Sequence, residues 1–247
     1  MKKHGVRMVF THFLLVFLFC IASGTATAAD SHPVPLSVEI VPGAEYTHTK
    51  WFVIIPMKLT PQMAVWLESA EGTFIDSIYI TEKAARGNWR GGKDVSRPEA
   101  LPVYFHRSGA AVAAEGSGTS GRDSEADTVS GATPKEGDQD AHKWTHNFSL
   151  EPGTYRIMVE VNSSFDYNSS FPEQKGNVNG QPSLVYAAEF EVGAQGLISG
   201  DVAEQNGLDL KPVGHGDPSG QTGEIMYDLN GMTSALEMLE EIRAAVR

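Results

Sequence analysis

Cysteine is almost missing from this chain of 247 residues, which holds one, Cys20, inside its first apolar run. Beyond that run no long apolar stretch occurs. Positive charge is scarce, with 19 Lys and Arg against 31 Asp and Glu and a formal net charge of −12. Amphipathic helical spacing is missing until the C-terminal end. Each absence excludes something. A lone cysteine supports neither a disulfide framework nor a thiolate metal centre. An acidic chain is poorly suited to nucleic acid or to anionic lipid. Without a second apolar segment, nothing after the first run can span a membrane as a helix.

What is present begins with an address. Lys2, Lys3 and Arg7 precede an apolar stretch at 13–22, and Ala26-Thr27-Ala28 forms an A-x-A cleavage site. Residues 1–28 read as a signal peptide, cut before Ala29. Phe19 stands before Cys20 where a lipidation signal requires a small residue, so the cysteine leaves with the leader. Cleavage removes three positive charges and takes the net charge from −12 to −15. The expectation is a periplasmic protein, exported through a cleavable signal and not inserted in the membrane afterwards. A mature chain of about 220 residues can bury a substantial core.

Period-two alternation places strands at 36–41, 51–59, 63–68, 74–81, 101–107, 143–150, 154–162 and 184–192. The clearest is 154–162, where Tyr155, Ile157, Val159 and Val161 face one way after the turn Glu151-Pro152-Gly153. The run 51–59 is nearly continuously apolar and suits a central strand covered on both faces. Eight short strands separated by turn signals predict a mainly β fold, an antiparallel, immunoglobulin-like sandwich over 29–193. Residues 194–247 read as a surface connection followed by a helix packed on the sandwich. Ser234 and Glu237 would form its capping box, with Met232, Leu236, Leu239, Ile242 and Val246 on its apolar face.

Within the sandwich, 108–141 is rich in Gly, Ala, Ser, Thr, Asp and Glu, with Val112 and Val129 as its large apolar residues. A loop of that length and composition is expected to be flexible and functional. It contains Asp127-Thr128-Val129-Ser130-Gly131-Ala132-Thr133. Gly131 and Ala132 leave space beside the Thr133 hydroxyl, and Gly131 allows close backbone approach or positive φ. Asp127 and Ser130 supply polar groups for a turn, and Pro134 stiffens the exit.

This stretch resembles the acceptor sequence D-x-x-[ST]-G-A-[ST] of proteins that carry FMN covalently on a threonine. Chance matches are expected on the order of once per thousand chains of this size. Further segments resemble an uncharacterised family of periplasmic bacterial proteins: Arg97-Pro98-Glu99-Ala100-Leu101-Pro102-Val103, Ala64-Val65-Trp66-Leu67-Glu68, Gly180-Gln181-Pro182-Ser183-Leu184-Val185-Tyr186, and the ending from Asp228 to Leu236. The resemblance implies FMN joined to Thr133 through a phosphodiester, with Asp127, Ser130, Gly131 and Ala132 as the recognised motif. It implies an FAD:protein FMN transferase and a membrane cytochrome-like redox partner. The chain would then be an electron carrier rather than an enzyme with its own substrate, and no catalytic residue is assigned. The competing expectation is a cofactor-free sandwich acting as a binding or scaffold module.

Other constellations carry less. Trp89, among Arg86, Arg90, Lys93 and Arg97, is a candidate flavin contact through its indole face. His142 and His146 are four apart on an alternating segment, which separates them by about 13 Å on one strand face and argues against a shared metal. The sequons at Asn147, Asn162 and Asn168 read as polar turns and strand edges.

Overall fold

The computed structural model describes residues 30–87, 89, 95–109, 130–135, 137, 142–174, 178–195, 198–199 and 207–246. The expected signal peptide lies outside them. In chain order the strands are β1 His32–Pro42, β2 His48–Phe52, β3 Ile55–Leu59, β4 Gln62–Ser69, β5 Phe74–Thr81, β6 Ser130–Gly131, β7 Lys143–Leu150, β8 Gly153–Asn162, β9 Leu184–Val192, β10 Ile198–Ser199, β11 Leu208–Asp209, β12 Lys211–His215 and β13 Leu239–Val246. Two short helices, α1 Glu82–Arg86 and α2 Pro102–Arg107, lie between β5 and β6.

Among the described residues, one sheet runs β11-β13-β1-β7 and the other β10-β9-β8-β4-β5-β6, with β12 added on β9. The chain is mainly β, and its antiparallel sheets pack as a sandwich compatible with an immunoglobulin-like arrangement. Six of the eight expected strands fall inside β1, β4, β5, β7, β8 and β9. The alternation explains why. In β1, Val34, Leu36, Val38 and Ile40 point into the shared core, where they meet Val65, Leu67, Ile157 and Val159 of the other sheet.

The strand covered on both faces is β4. Met63, Val65 and Leu67 enter the core between the sheets, while Ala64 and Trp66 enter a second cluster on the outer face with Leu101, Val103, Met158 and Val185. Residues 51–59, expected in that role, instead form a hairpin of their own, β2 against β3. Its turn lies at Val53 and Ile54, and the tip is open to solvent, with Val53 97% and Ile54 81% exposed. The expected strand at 101–107 is helical. Pro98 and Pro102 each stand at the start of a helical turn, where the missing N–H costs nothing and φ is preset.

The C-terminal helix is also corrected. Only Ser234–Glu237 turn, as a 3-10 segment, and Leu239–Val246 is a strand paired with β1 from Leu36 opposite Val246 to Ile40 opposite Ile242. Leu239, Ile242 and Val246 satisfy both readings. Ala244 separates them, since it is buried between the sheets but would lie opposite the apolar face of a helix. Ser234 is also engaged elsewhere: its hydroxyl donates to Asp166 Oδ1 (2.5 Å) and accepts from Gln181 Nε2 (2.6 Å), so no capping box forms. The expected surface connection at 194–221 contains β10, β11 and β12.

The outer cluster is held by one buried carboxyl. Glu160 on β8 accepts from the backbone N–H groups of Val103 (3.2 Å) and Tyr104 (2.8 Å) at the start of α2 and from the Ser183 hydroxyl (2.6 Å). Gly216 passes so close that a Cβ there would stand 3.0 Å from Glu160 Oε1 and 2.5 Å from Ser183 Oγ. Below it, Glu68 pairs with Arg107 and accepts from Trp66 Nε1. Burial pushes the Glu160 carboxyl up to about 7, against the hydrogen bonds and Arg107, which favour its charged form. A raised carboxyl contributes stability that is complete below its ordinary 4.5 and is lost as pH rises through about 7.

Two outcomes test this architecture. Ala244→Glu should lower unfolding free energy by about 3 kcal/mol or more, because it places a charge between the sheets; a helical C-terminus would tolerate it, and urea unfolding distinguishes the two. Glu160→Gln should be destabilising by about 1–3 kcal/mol at pH 5, since it sets an amide NH2 against one of the two backbone N–H groups that now donate to carboxyl oxygens. The stability difference between wild type and this variant should shrink between pH 5 and 8, because ionisation of Glu160 weakens only the wild type.

Candidate functional site

The end of β5 carries the acceptor segment. Ser130 lies opposite Ile80 and Gly131 opposite Thr81 in a parallel pair, so the motif enters the structure as an edge strand. The Tyr79 hydroxyl donates to the carbonyls of Gly131 (3.3 Å) and Ala132 (3.1 Å), and the Tyr46 hydroxyl donates to that of Pro134 (2.9 Å). Thr133 stands between the two attachments. Burial pushes both phenols well above the ordinary tyrosine range, which keeps them protonated as donors.

Beneath the segment the two sheets meet. The Tyr79 ring from β5 stacks on Trp144 from β7, with centroids 4.2 Å apart and planes at 24°, and Tyr46 meets His142 edge-on at 5.4 Å. Gly131 is required by this floor rather than by its own φ. A Cβ there would stand 3.1 Å from the Tyr79 ring, tighter than ordinary carbon contact. Ala132 is exposed, Thr133 half-buried and Pro134 buried. Among the described residues no hydrogen bond engages the Thr133 hydroxyl. A small exposed neighbour, a fixed backbone and an unengaged hydroxyl fit a group joined at Thr133 Oγ. Asp127 and most of 108–141 lie outside the described residues.

Trp89 is set by its own loop. Its indole Nε1 donates to the Val95 carbonyl (2.9 Å), and the Arg97 guanidinium lies over the ring, 5.0 Å from a centroid. Arg90 and Lys93 fall outside the described residues, and Arg86 faces Glu82 at 3.6 Å. Trp89 and Arg97 line a cavity of about 550 Å³, together with Phe52 and Ile55 of the hairpin, Phe165 and Lys83. Thr81 joins the two places: it pairs with Gly131, and its hydroxyl donates to Gln62 Oε1 (3.0 Å), a residue of the cavity wall.

The histidines are separated by the fold. His142 lies under Tyr46, whereas His146 Nε2 reaches Asp76 Oδ2 at 3.4 Å across the sheets. Among the described residues no group of three His, Cys, Asp or Glu side chains is arranged to hold a metal. Asn162 and Asn168 are structural: Asn162 Nδ2 donates to the Ala100 carbonyl (2.9 Å), and Asn168 ties the turn at Phe171 to Gly231. Sequence reasoning missed Tyr46, Tyr79, Trp144 and Phe165. They stand far from the motif in the chain, and Tyr79 carried only the ordinary inward phase of its strand. Searches of protein-family models, curated proteins and solved structures find no match to this chain.

Tyr79→Phe and Tyr46→Phe should each cost about 1 kcal/mol of stability and speed proteolytic cleavage within 130–135. Thermal melts and limited proteolysis followed by mass spectrometry read both. Unchanged cleavage in the double variant would show that the two phenols do not hold the segment.

Proposed function

We propose that this chain is a periplasmic flavoprotein that carries FMN covalently on Thr133 and passes electrons outside the cytoplasm. The observation that carries the reading is the acceptor segment itself: a motif of seven residues in which tyrosine hydroxyls hold the backbone carbonyls on either side of Thr133, at Gly131 and Ala132 and at Pro134. The exported address and the absence of cysteine after leader cleavage agree with it, because redox chemistry then has to come from an added group.

Attachment is a phosphoryl transfer made by a separate FAD:protein FMN transferase. Thr133 Oγ forms a bond to the FMN phosphorus of FAD, the pyrophosphate P–O bond breaks, AMP departs and the threonine proton goes to a base. Bound FMN supplies one- and two-electron chemistry. The chain's own residues position it: Tyr79 and Tyr46 fix the backbone on either side of Thr133, and the exposed Ala132 keeps the approach clear. A membrane cytochrome-like protein is the proposed redox partner. The competing reading, a cofactor-free binding or scaffold module, is favoured by the open apolar tip of the β2–β3 hairpin.

Co-production with an FAD:protein FMN transferase separates the two. The intact mass should rise by FMN less water, the colour should survive denaturation, and Thr133→Ala should abolish both. An unmodified mass from the co-produced protein, or flavin retained by Thr133→Ala, refutes the assignment.

A further inference from the structure

The geometry points to the cavity between the hairpin and the Trp89 loop as the seat of the isoalloxazine ring. This rests on the reading of Thr133 as the attachment point and adds where the ring goes. Three observations support it.

The first is reach. Strand neighbours lie about 4.8 Å apart and two residues of chain add at most about 7 Å, which places the Thr133 Cα within about 12 Å of Thr81. Thr81 touches the cavity wall through Gln62 and is followed two residues later by Lys83, a wall residue of α1. The ribityl phosphate arm spans roughly 9 Å from phosphorus to ring nitrogen at single-bond lengths of about 1.5 Å. Together with the Thr133 side chain and the breadth of the ring itself, that arm is long enough for a gap of this size while the acceptor segment stays on the sheet edge.

The second is chemistry. The volume of about 550 Å³ lies in the range of small-molecule sites. Phe52, Phe165 and Trp89 offer aromatic faces, Ile55 an aliphatic one, and Lys83 and Arg97 positive charge. No Asp or Glu lines the cavity among the described residues, although the chain as a whole carries −12. A flat apolar ring that becomes anionic on reduction, tethered through an anionic phosphodiester, matches a wall of that composition.

The third is strain. Among the described residues the two non-glycine residues with positive φ are Phe165 (63°) and Val53 (58°). One lines the cavity and the other turns the hairpin that forms its wall. A bulky residue held there is strained, and such strain is typical of ligand clamps. Phe165 meets Phe52 edge-on at 5.2 Å, so the strained residue and the hairpin share one aromatic contact.

The test uses free riboflavin and the Thr133→Ala chain, so that binding is read apart from attachment. Riboflavin fluorescence should be quenched on saturable binding. Trp89→Leu should weaken binding roughly tenfold, as expected for loss of a stacked indole, and Phe52→Leu on the exposed hairpin should weaken it less. Trp51→Leu, whose side chain does not line the cavity, should bind as the parent does. In the wild-type chain loaded with FMN, fluorescence should be quenched and should rise severalfold on Trp89→Leu. Circular dichroism confirms that each variant is folded. Riboflavin that stays free, or binds Trp89→Leu as tightly as the parent, overturns the proposal, and so does attached FMN that fluoresces like free flavin. Riboflavin binding that depends on Trp89, in a chain whose mass never gains FMN, upholds the cavity and refutes covalent attachment.

Discussion

The Glu160 carboxyl has to be solvated by the protein, because it is fully buried. Two backbone amides from the start of α2 and the Ser183 hydroxyl do this, and they fix where α2 sits. That position lets Val103 and Leu101 cover Trp66 and Met158, so the large sheet becomes apolar on both faces at β4. Arg107, at the other end of α2, meets Glu68 on the neighbouring strand β4, four residues along from Ala64, which lies opposite Glu160. An isolated buried pair of charges is weak evidence for stability. Here the carboxylates do something else, which is to choose one placement of a short helix that has no intrinsic stability of its own. The segment just before α2 is tied to the same strand, since Asn162 Nδ2 of β8 binds the carbonyl of Ala100. Arg97, whose carbonyl accepts from the Ala100 N–H, therefore takes its position from β8.

The acceptor segment solves a related problem at the sheet edge. An edge strand offers unpaired backbone groups and invites association with other chains. A strand of two residues covers the end of β5 without presenting a long edge, and phenol hydroxyls take the carbonyls that follow it. These are side chains from the core, so the backbone around Thr133 is tied to the region where the two sheets meet. Gly131 belongs to the same solution, since its missing Cβ lets the strand lie on the Tyr79 ring.

Strands with clean alternation were legible in the sequence, because their side chains divide between a core and another environment. Leu239–Val246 was not, because Leu239, Ile242 and Val246 fit a helical face as well as a strand face, and the small Ala244 carried no signal. Tertiary pairing with β1 decided it. The stretch 51–59 misled for the opposite reason: continuous apolarity usually marks burial, and here it marks an exposed hairpin. At the site, the motif was legible because it is local. The tyrosine attachments were not, since Tyr46 reaches Pro134 across 88 positions and Tyr79 reaches Ala132 across 53. Trp89 was visible as an indole among cations, but Phe52 and Phe165, which line the same cavity, come from segments that composition assigns to other roles.

The exposed hairpin and the strained residues belong together physically. Leaving Val53 and Ile54 in water forgoes about 1.5–3 kcal/mol for each, relative to full burial, and holding Phe165 and Val53 at positive φ adds backbone strain. A fold that maximised stability would collapse the hairpin onto the neighbouring sheet and fill the cavity with Phe52 and Ile55. Several features oppose that collapse. Lys50 lies over the Tyr167 ring at 5.1 Å and faces Glu173 at 3.6 Å, which braces the base of the hairpin from outside. Ser163 Oγ and His48 Nδ1 lie 3.2 Å apart where β2 begins. The hairpin is therefore tied at its base and free at its tip. Phe52 and Ile55, on either side of that tip, line the cavity, so apolar surface runs from the open tip into the cavity wall.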